Sequence, residues 1–466
     1  MLRKPERHGD GGGTRFRLFP QSPFDRDGLA PETIEVSAPA GSIGPGPADA
    51  RMYLVSPIGK QFHYGLNAGP YGTPWLYLAP WRGPIDPPVR PGPAGHFDHL
   101  APGTEEFEAA HLFGSVSAVL DIWEGYFGAP IFWHFERDAG RLELCLLPWW
   151  ENAQLGYGYL EVGSDWSTGA REPFSLLFEV VAHEVGHGII YSQIGLPDLG
   201  HDSGEYFAFH ESAADWVAMI ASVNFDTVVD ELLTTTSGNL YTYNHFNRFA
   251  VTSRTRQIRL ASNSLKMSDF AAGWDDEHLL SQVLTGCIFD IFVDLFHDLL
   301  HDSGRVARGA DELFDIADRT PQHIDKVQGE FDRLFALSPE VFYEAFAAAR
   351  DATAQLLVAT WRQLSPDDLS FAGVGESMLA ADRQITGRRM QHAIRSNLRW
   401  REIGLVAAGP MLAPPGPKSH SHSSRTHVPE DRHILPRMSY HERYLVACQH
   451  CRRGQTTNRS RRALFG

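Results

Sequence analysis

Cysteine is scarce in this sequence: four residues among 466. That number excludes a disulfide framework standing in for a hydrophobic core. Cys145 in "RLELCLLPWW" and Cys287 in "LTGCIFDIF" lie in apolar runs and read as small buried hydrophobes, so a reducing compartment is the default. Positive charge is also short. Lys and Arg number 41 against 57 Asp and Glu, a formal net charge of -16. An acidic surface repels phosphate, so nucleic acid is not expected as the main partner. No segment reads as a membrane span. The N-terminal "MLRKPERHGDGGGTRF" lacks the apolar stretch of a secretory signal. A cytoplasmic location is therefore expected, with a non-classical route of secretion left open. No internal repeat is found, and nothing in the sequence fixes the oligomeric state.

What is present is the composition of a soluble globular chain, 43% hydrophobic and 21% charged, long enough for two or three domains. Residues 1–50, with stretches such as "APAGSIGPGPADA", predict a low-complexity arm without a core of its own. Residues 51–104 alternate aromatics with turn residues and predict a short β-rich extension. Residues 105–195 read as an α+β lobe. A helix over "TEEFEAAHLFGSVSAVLDIWEGYF" stops at Gly128. "PIFWHFER" and "RLELCLLPWW" read as strands joined by "DAG", "NAQLGYGYLEVG" as a further strand, and 174–194 as a helix. Residues 196–407 read as a helical lobe, with helices over 208–223, 279–302, 308–317, 323–336, 338–363 and 375–407. Residues 408–466 predict a linker and a disordered basic tail; its C-x-x-C has no second pair at the usual spacing, so a zinc site there would need His433, His441 or His450 to complete it, and a disordered arm is the preferred reading.

One stretch carries chemistry. "VVAHEVGHGII", residues 180–190, sets His183 and His187 four residues apart with Glu184 beside the first. On a helix that spacing puts both imidazoles on one face, one turn apart, where they can share a tetrahedral metal ion. The pattern is H-E-x-x-H, two zinc ligands and a general base. A surface helix that happens to carry two histidines is the competing reading. Val180, Val181, Ile189 and Ile190 argue against it, because they make the helix apolar around most of its circumference, and buried imidazoles and carboxylates need partners. Gly186 and Gly188 cost about 1 kcal/mol each inside a helix, a loss that a close approach of another element would explain. Downstream, "FAFHESAADWVAMIASV" is a second apolar helix with Glu211 and Asp215 four residues apart. One carboxylate can serve as the third ligand, and the other can accept a hydrogen bond from the far nitrogen of a ligand histidine. The other histidines, including His201, His210, His297 and His301, read as surface or satisfied polar groups.

H-E-x-x-H followed by E-x-x-x-D on the next helix resembles the gluzincin metallopeptidases, and within them the thermolysin-like family. The resemblance covers roughly residues 105–380. It implies a two-lobed α+β fold, an α/β N-terminal lobe and a mainly helical C-terminal lobe with the zinc helix between them. It also implies Zn2+ as cofactor, held by His183, His187 and Glu211, and a peptide or protein substrate. Glu184 would be the general base and Asp215 the partner of His183. "ENAQLGYGYLEVG" resembles the family's substrate-holding edge strand, which points to Asn152 and the backbone of Ala153; "IRLASN" points to Arg259; and "GWDDEHLLSQVLTG" points to His278 as a transition-state donor. Twenty-three residues separate His187 from Glu211, more than the family usually has, and Tyr206 is the nearest equivalent of its tyrosine donor. The family's Ca2+ sites do not transfer, with Glu179 and Asp226 as isolated candidates. Two alternatives stand beside endopeptidase activity. An aminopeptidase would carry a Gly-x-Met-x-Asn motif before the zinc helix, and none is found. A non-catalytic zinc-stabilised binding or scaffold protein would have no use for Glu184.

Overall fold

The computed structural model describes residues 12–25, 28–68, 73–198, 200–249, 259–274, 276–304 and 324–404. The expected helix over 308–317 and the tail over 408–466, with its C-x-x-C, lie outside the described residues.

Strands β1 (Gly13–Leu18) and β2 (Glu32–Pro39) form an antiparallel hairpin, so the described part of residues 1–50 is not the coreless arm its composition predicts. "TRFRL" alternates apolar and polar positions, and Phe16 and Leu18 are completely buried. Strand β3 (Met52–Val55) runs parallel to a later strand of the central sheet, and β4 (Gly65–Ala68) pairs with β5 (Pro74–Tyr77). Neither the boundary at residue 50 nor that at 104 separates bodies. The ring of Phe16 stacks on Phe97 at 5.1 Å and also meets Phe113 of helix α1 (Glu105–Phe127). α1 comes close because it carries Gly114, where a Cβ would lie 2.8 Å from the Phe16 ring. Thr104 caps α1 by accepting from Phe107 N, Glu105, Glu106 and Glu108 face its positive end, and Gly128 closes it in the left-handed region at φ 65°.

"PIFWHFER" is not a strand. Trp133 and Phe135 stack face to face at 5.7 Å and are buried in the core, and a one-turn helix α2 (Glu136–Ala139) follows. The aromatic richness that reads as β-propensity is side-chain packing here. β6 (Leu142–Leu146), β7 (Ala153–Gly156) and β8 (Tyr159–Val162) complete a four-stranded sheet of order β3-β6-β8-β7. "NAQLGYGYLEVG" is therefore a hairpin rather than one strand. β3, β6 and β8 are parallel, and β7 is an antiparallel edge. Leu142, Leu144, Leu160 and Val162 join the main core. The alternate residues, Glu143 and Glu161, are buried too. Lys60, Tyr64 and Trp81 cover them: Lys60 Nζ lies 2.5 Å from Glu161, Tyr64 donates to Glu143, and so does the Trp81 amide.

Helix α3 (Phe178–Ile194) is followed by α4 (Gly204–Ser222) and α5 (Asp226–Thr236). α5 is not among the expected helices, although Val228, Val229, Leu232 and Leu233 recur at helical spacing and form its buried face. Its last turn is "TTT", whose hydroxyls donate back to carbonyls four residues earlier. α6 (Glu277–Asp302) packs against α4 and against α8 (Pro339–Trp361), with α7 (Ile324–Leu337) between them in sequence. The expected helix over 375–407 is two helices, α9 (Phe371–Ile385) and α10 (Gln391–Trp400). The chain breaks at Gly387 and Arg388, both at positive φ. α6 is long and apolar enough by composition to cross a membrane, contrary to the reading above, but 83% of its most apolar window is buried inside the protein. It is a core helix. The architecture is α+β and two-lobed: the four-stranded sheet meets α3 through β7, the helical set from α4 onward packs on α3, and α1 touches both lobes, with Trp123 donating to the Val217 carbonyl of α4 and packing on Trp361 of α8.

His111 ties the N-terminal hairpin to the lobe. Its Nε2 accepts from Phe19 N at 2.8 Å, and its Nδ1 lies 2.8 Å from the Ser175 carbonyl. These backbone partners fix a neutral ring with the proton on Nδ1, and burial pushes its pKa down from 6.5 to about 3. Above pH 6.5 the ring is neutral whether the chain is folded or not. Below it the unfolded chain takes up a proton that the folded state refuses, so stability is lost as pH falls towards 3, on the order of a few kcal/mol. The thermal midpoint is expected to drop over that window, and more steeply in the native protein than in His111→Gln, which keeps both hydrogen bonds without titrating; parallel slopes in calorimetry would count against this.

Candidate metal centre

α3 and α4 cross in close contact because neither has bulk at the crossing. A Cβ on Gly186 would lie 2.8 Å from Ala214 Cα. On another side of the helix, a Cβ on Gly188 would come within 2.9 Å of the Trp133 ring and 3.1 Å of Leu155. Both glycines thus buy close approach, one to a helix and one to the sheet side.

The crossing brings His183 and His187 of α3 up to Glu211 of α4. The imidazoles are 4.8 Å apart between centroids and nearly perpendicular. His183 Nε2 lies 3.4 Å from Glu211 Oε2, and His187 Nε2 lies 3.6 Å from Glu211 Oε1. Among the described residues these three form the one group whose donor atoms all lie within 4.8 Å of one another. A tetrahedral ion with ligands at about 2.0–2.1 Å has ligand-to-ligand edges of about 3.3 Å; the two histidine-to-carboxylate distances are near that edge, to different oxygens of Glu211, so the donor set fits a metal ion in its chemistry and in two of its edges. All three side chains are buried, and a buried carboxylate between two imidazoles requires a compensating charge.

Around this set the other named residues divide. Asp215 Oδ1 lies 3.0 Å from His183 Nδ1, and its Oδ2 accepts from Thr285 Oγ1 at 3.3 Å, which anchors it to α6. His278 is in the first turn of α6, after the cap Asp276, and its Nδ1 lies 2.8 Å from Glu211 Oε2 while its side chain is 45% exposed. Glu184 is not among the three donors; its Oε2 accepts from Leu155 N at 2.8 Å, on edge strand β7. That amide therefore points away from β8. Because backbone direction alternates along a strand, Ala153, two residues earlier, presents its amide and carbonyl on the same open side. Asn152 is exposed, and its carbonyl accepts from Gly163 N within the hairpin.

Tyr206 departs from its expected role. It is fully buried, and its hydroxyl donates to the Gly195 carbonyl beyond the end of α3. The longer loop before α4 is closed by that bond, which makes Tyr206 a packing residue rather than a donor aimed at the three ligands. Arg259 begins a two-residue strand paired with residues 248–249; its side chain lies outside the described residues. Glu179 and Asp226 stand in the first turns of α3 and α5, and neither belongs to a donor cluster among the described residues. His210 is not the ordinary surface or satisfied polar group that the sequence predicts. It is completely buried with its Nδ1 3.1 Å from His187 Nδ1. Its sequence signal is a histidine that directly follows the apolar stretch "YFAF", on a helix where a buried ring needs a partner.

No family model matches the sequence, and no curated protein sequence matches it. A solved structure with a similar course of the chain is the precursor of protealysin, a metalloproteinase from Serratia proteamaculans: 13% identity, TM-score 0.43, over 69% of this chain and 83% of that one. A likeness at that level says nothing about chemistry, which rests on the side chains described above.

Proposed function

We propose that this chain is a zinc-dependent metalloendopeptidase of the thermolysin-like type, acting on peptide bonds of protein substrates. One observation carries the reading: a buried donor set of two imidazoles and a carboxylate lies beside a second carboxylate, Glu184, that is not one of the donors and is anchored to an open sheet edge. Bound at His183, His187 and Glu211, zinc would supply a Lewis acid that polarises a carbonyl and lowers the pKa of water towards ~7. Glu184 takes the proton of the attacking water and returns it to the leaving amine. The substrate adds as an extended strand along Ala153 and Leu155, recognised through its backbone. As it does so, the Leu155 amide can pass from Glu184 to a substrate carbonyl, which releases the base at the moment it is needed. His278 donates to the developing oxyanion, a contribution of roughly 3–4 kcal/mol for one such donor. Asp215 holds the Nδ1 proton of His183, which turns Nε2 towards the ion. Asn152 and Arg259 complete the substrate contacts in this reading.

Chelation tests it. Purified protein is expected to hold one zinc per chain and to hydrolyse an unfolded protein such as casein. A strong chelator should abolish that activity, and added Zn2+ should restore it. The loaded form should also unfold at a higher temperature than the stripped form, since a ligand that binds only the folded state stabilises it. Metal-free protein that cleaves casein equally well after chelation would overturn the proposal.

A further inference from the structure

We infer that His210 is the positioning residue that fixes the tautomer and tilt of His187, so that the two ligand histidines are backed unequally, one by a carboxylate and one by a neutral imidazole. The inference rests on the zinc reading above and goes beyond its residues. His210 Nδ1 and His187 Nδ1 are 3.1 Å apart, and the two rings are nearly parallel, 17° between planes at 5.4 Å. A nitrogen–nitrogen contact of that length holds a single proton: one ring donates and the other accepts. His187 turns its Nε2 to Glu211. For that nitrogen to offer a lone pair to a metal, the ring's proton must be on Nδ1. His187 Nδ1–H therefore donates to His210, and His210 is neutral with its own proton on Nε2.

The surroundings hold His210 to this task. It is fully buried between the rings of Tyr191, 4.1 Å away between centroids, and Tyr206, 5.4 Å away. Tyr206 is itself pinned through Gly195. Charge gives a reason for the asymmetry. Glu184, Glu211 and Asp215 already bring three carboxylates to the buried site, more negative charge than one dication balances. A second backing carboxylate in place of His210 would add to that excess, whereas a neutral imidazole supplies an acceptor without charge.

The test uses full-length protein and Zn2+ affinity, read by competition with a chelating dye. His210→Leu removes the acceptor and is expected to weaken zinc binding about 10–100-fold, while His210→Asn, whose amide oxygen can still accept, should stay within a few-fold of native. The stripped proteins' thermal midpoints separate this from loss of folding. A second readout needs no variant: nitrogen-15 spectra of the zinc-loaded native protein should report His187 protonated on Nδ1 and His210 on Nε2. Unchanged affinity in His210→Leu, or a proton on His210 Nδ1, overturns the inference while the zinc reading stands. Native protein that binds no zinc would instead overturn the reading on which it rests.

Discussion

Glu184→Gln is expected to lower turnover of casein by roughly 10²–10⁴-fold while the protein keeps its full zinc content. The two halves of that result follow from different contacts. Zinc content is set by His183, His187 and Glu211, which the substitution leaves alone. The local structure should also survive, because the amide oxygen of glutamine can accept from Leu155 N as the carboxylate does at 2.8 Å. What glutamine cannot do is take a proton at neutral pH. Steady-state kinetics paired with metal analysis on one preparation reads both. Loss of zinc together with activity would make Glu184 a ligand rather than a base. Unchanged hydrolysis would leave a structural metal and move the chemistry elsewhere.

Arg401→Leu is expected to destabilise the fold by about 3–5 kcal/mol, the usual result of removing one partner from a buried charge pair. Arg401 lies at the end of α10 and is completely buried. Its Nη2 donates to Asp290 of α6 at 2.7 Å and to the Asn263 carbonyl at 2.7 Å. Its Nη1 donates to Asn263 Oδ1 and to the Leu265 carbonyl. α6 makes room for it: at Gly286 a Cβ would lie 2.6 Å from the guanidinium. Leucine leaves a buried carboxylate and several carbonyls without their donor, which is why the effect should be large. Urea unfolding of the stripped protein measures it without a contribution from bound metal. A change under 1 kcal/mol would mean that solvent reaches this clamp. Because α6 carries both His278 and Thr285, the variant should also weaken activity more than it weakens zinc binding.

The helix of the candidate metal centre is legible because its period is fixed: once 180–190 is helical, His183 and His187 must share a face, and its apolar flanks make the face buried. Glu211 followed from the same geometry on the next helix. His210 was not legible. Residues 210 and 211 are adjacent and about 100° apart around α4, so only the close crossing at Gly186 and Ala214 decides that both reach α3. The errors have related causes. "PIFWHFER" has the residues of a strand, but Trp133 and Phe135 are used for packing, which no local pattern encodes. The hairpin over 13–39 hid behind glycine and proline in the stretch that follows it. The break between α9 and α10 turns on Arg388 at φ 81°, a conformation that its side chain does not announce. The outer face of the central sheet misleads in the opposite sense, since Glu143 and Glu161 alternate like solvent-facing residues and are buried under Lys60, Tyr64 and Trp81.

The way β1 and β3 are built in sets a limit on dissection. Phe16 fills the space left by Gly114 on α1, and β3 supplies an outer strand of the sheet whose far edge is β7. A truncated polypeptide starting at Glu105 would carry all three residues of the candidate metal centre yet bare the groove on α1 and leave β6 unpaired along one side. Such a fragment should be insoluble or sticky rather than a minimal enzyme, and a protease nick before residue 104 should not release the first hundred residues until the whole lobe melts.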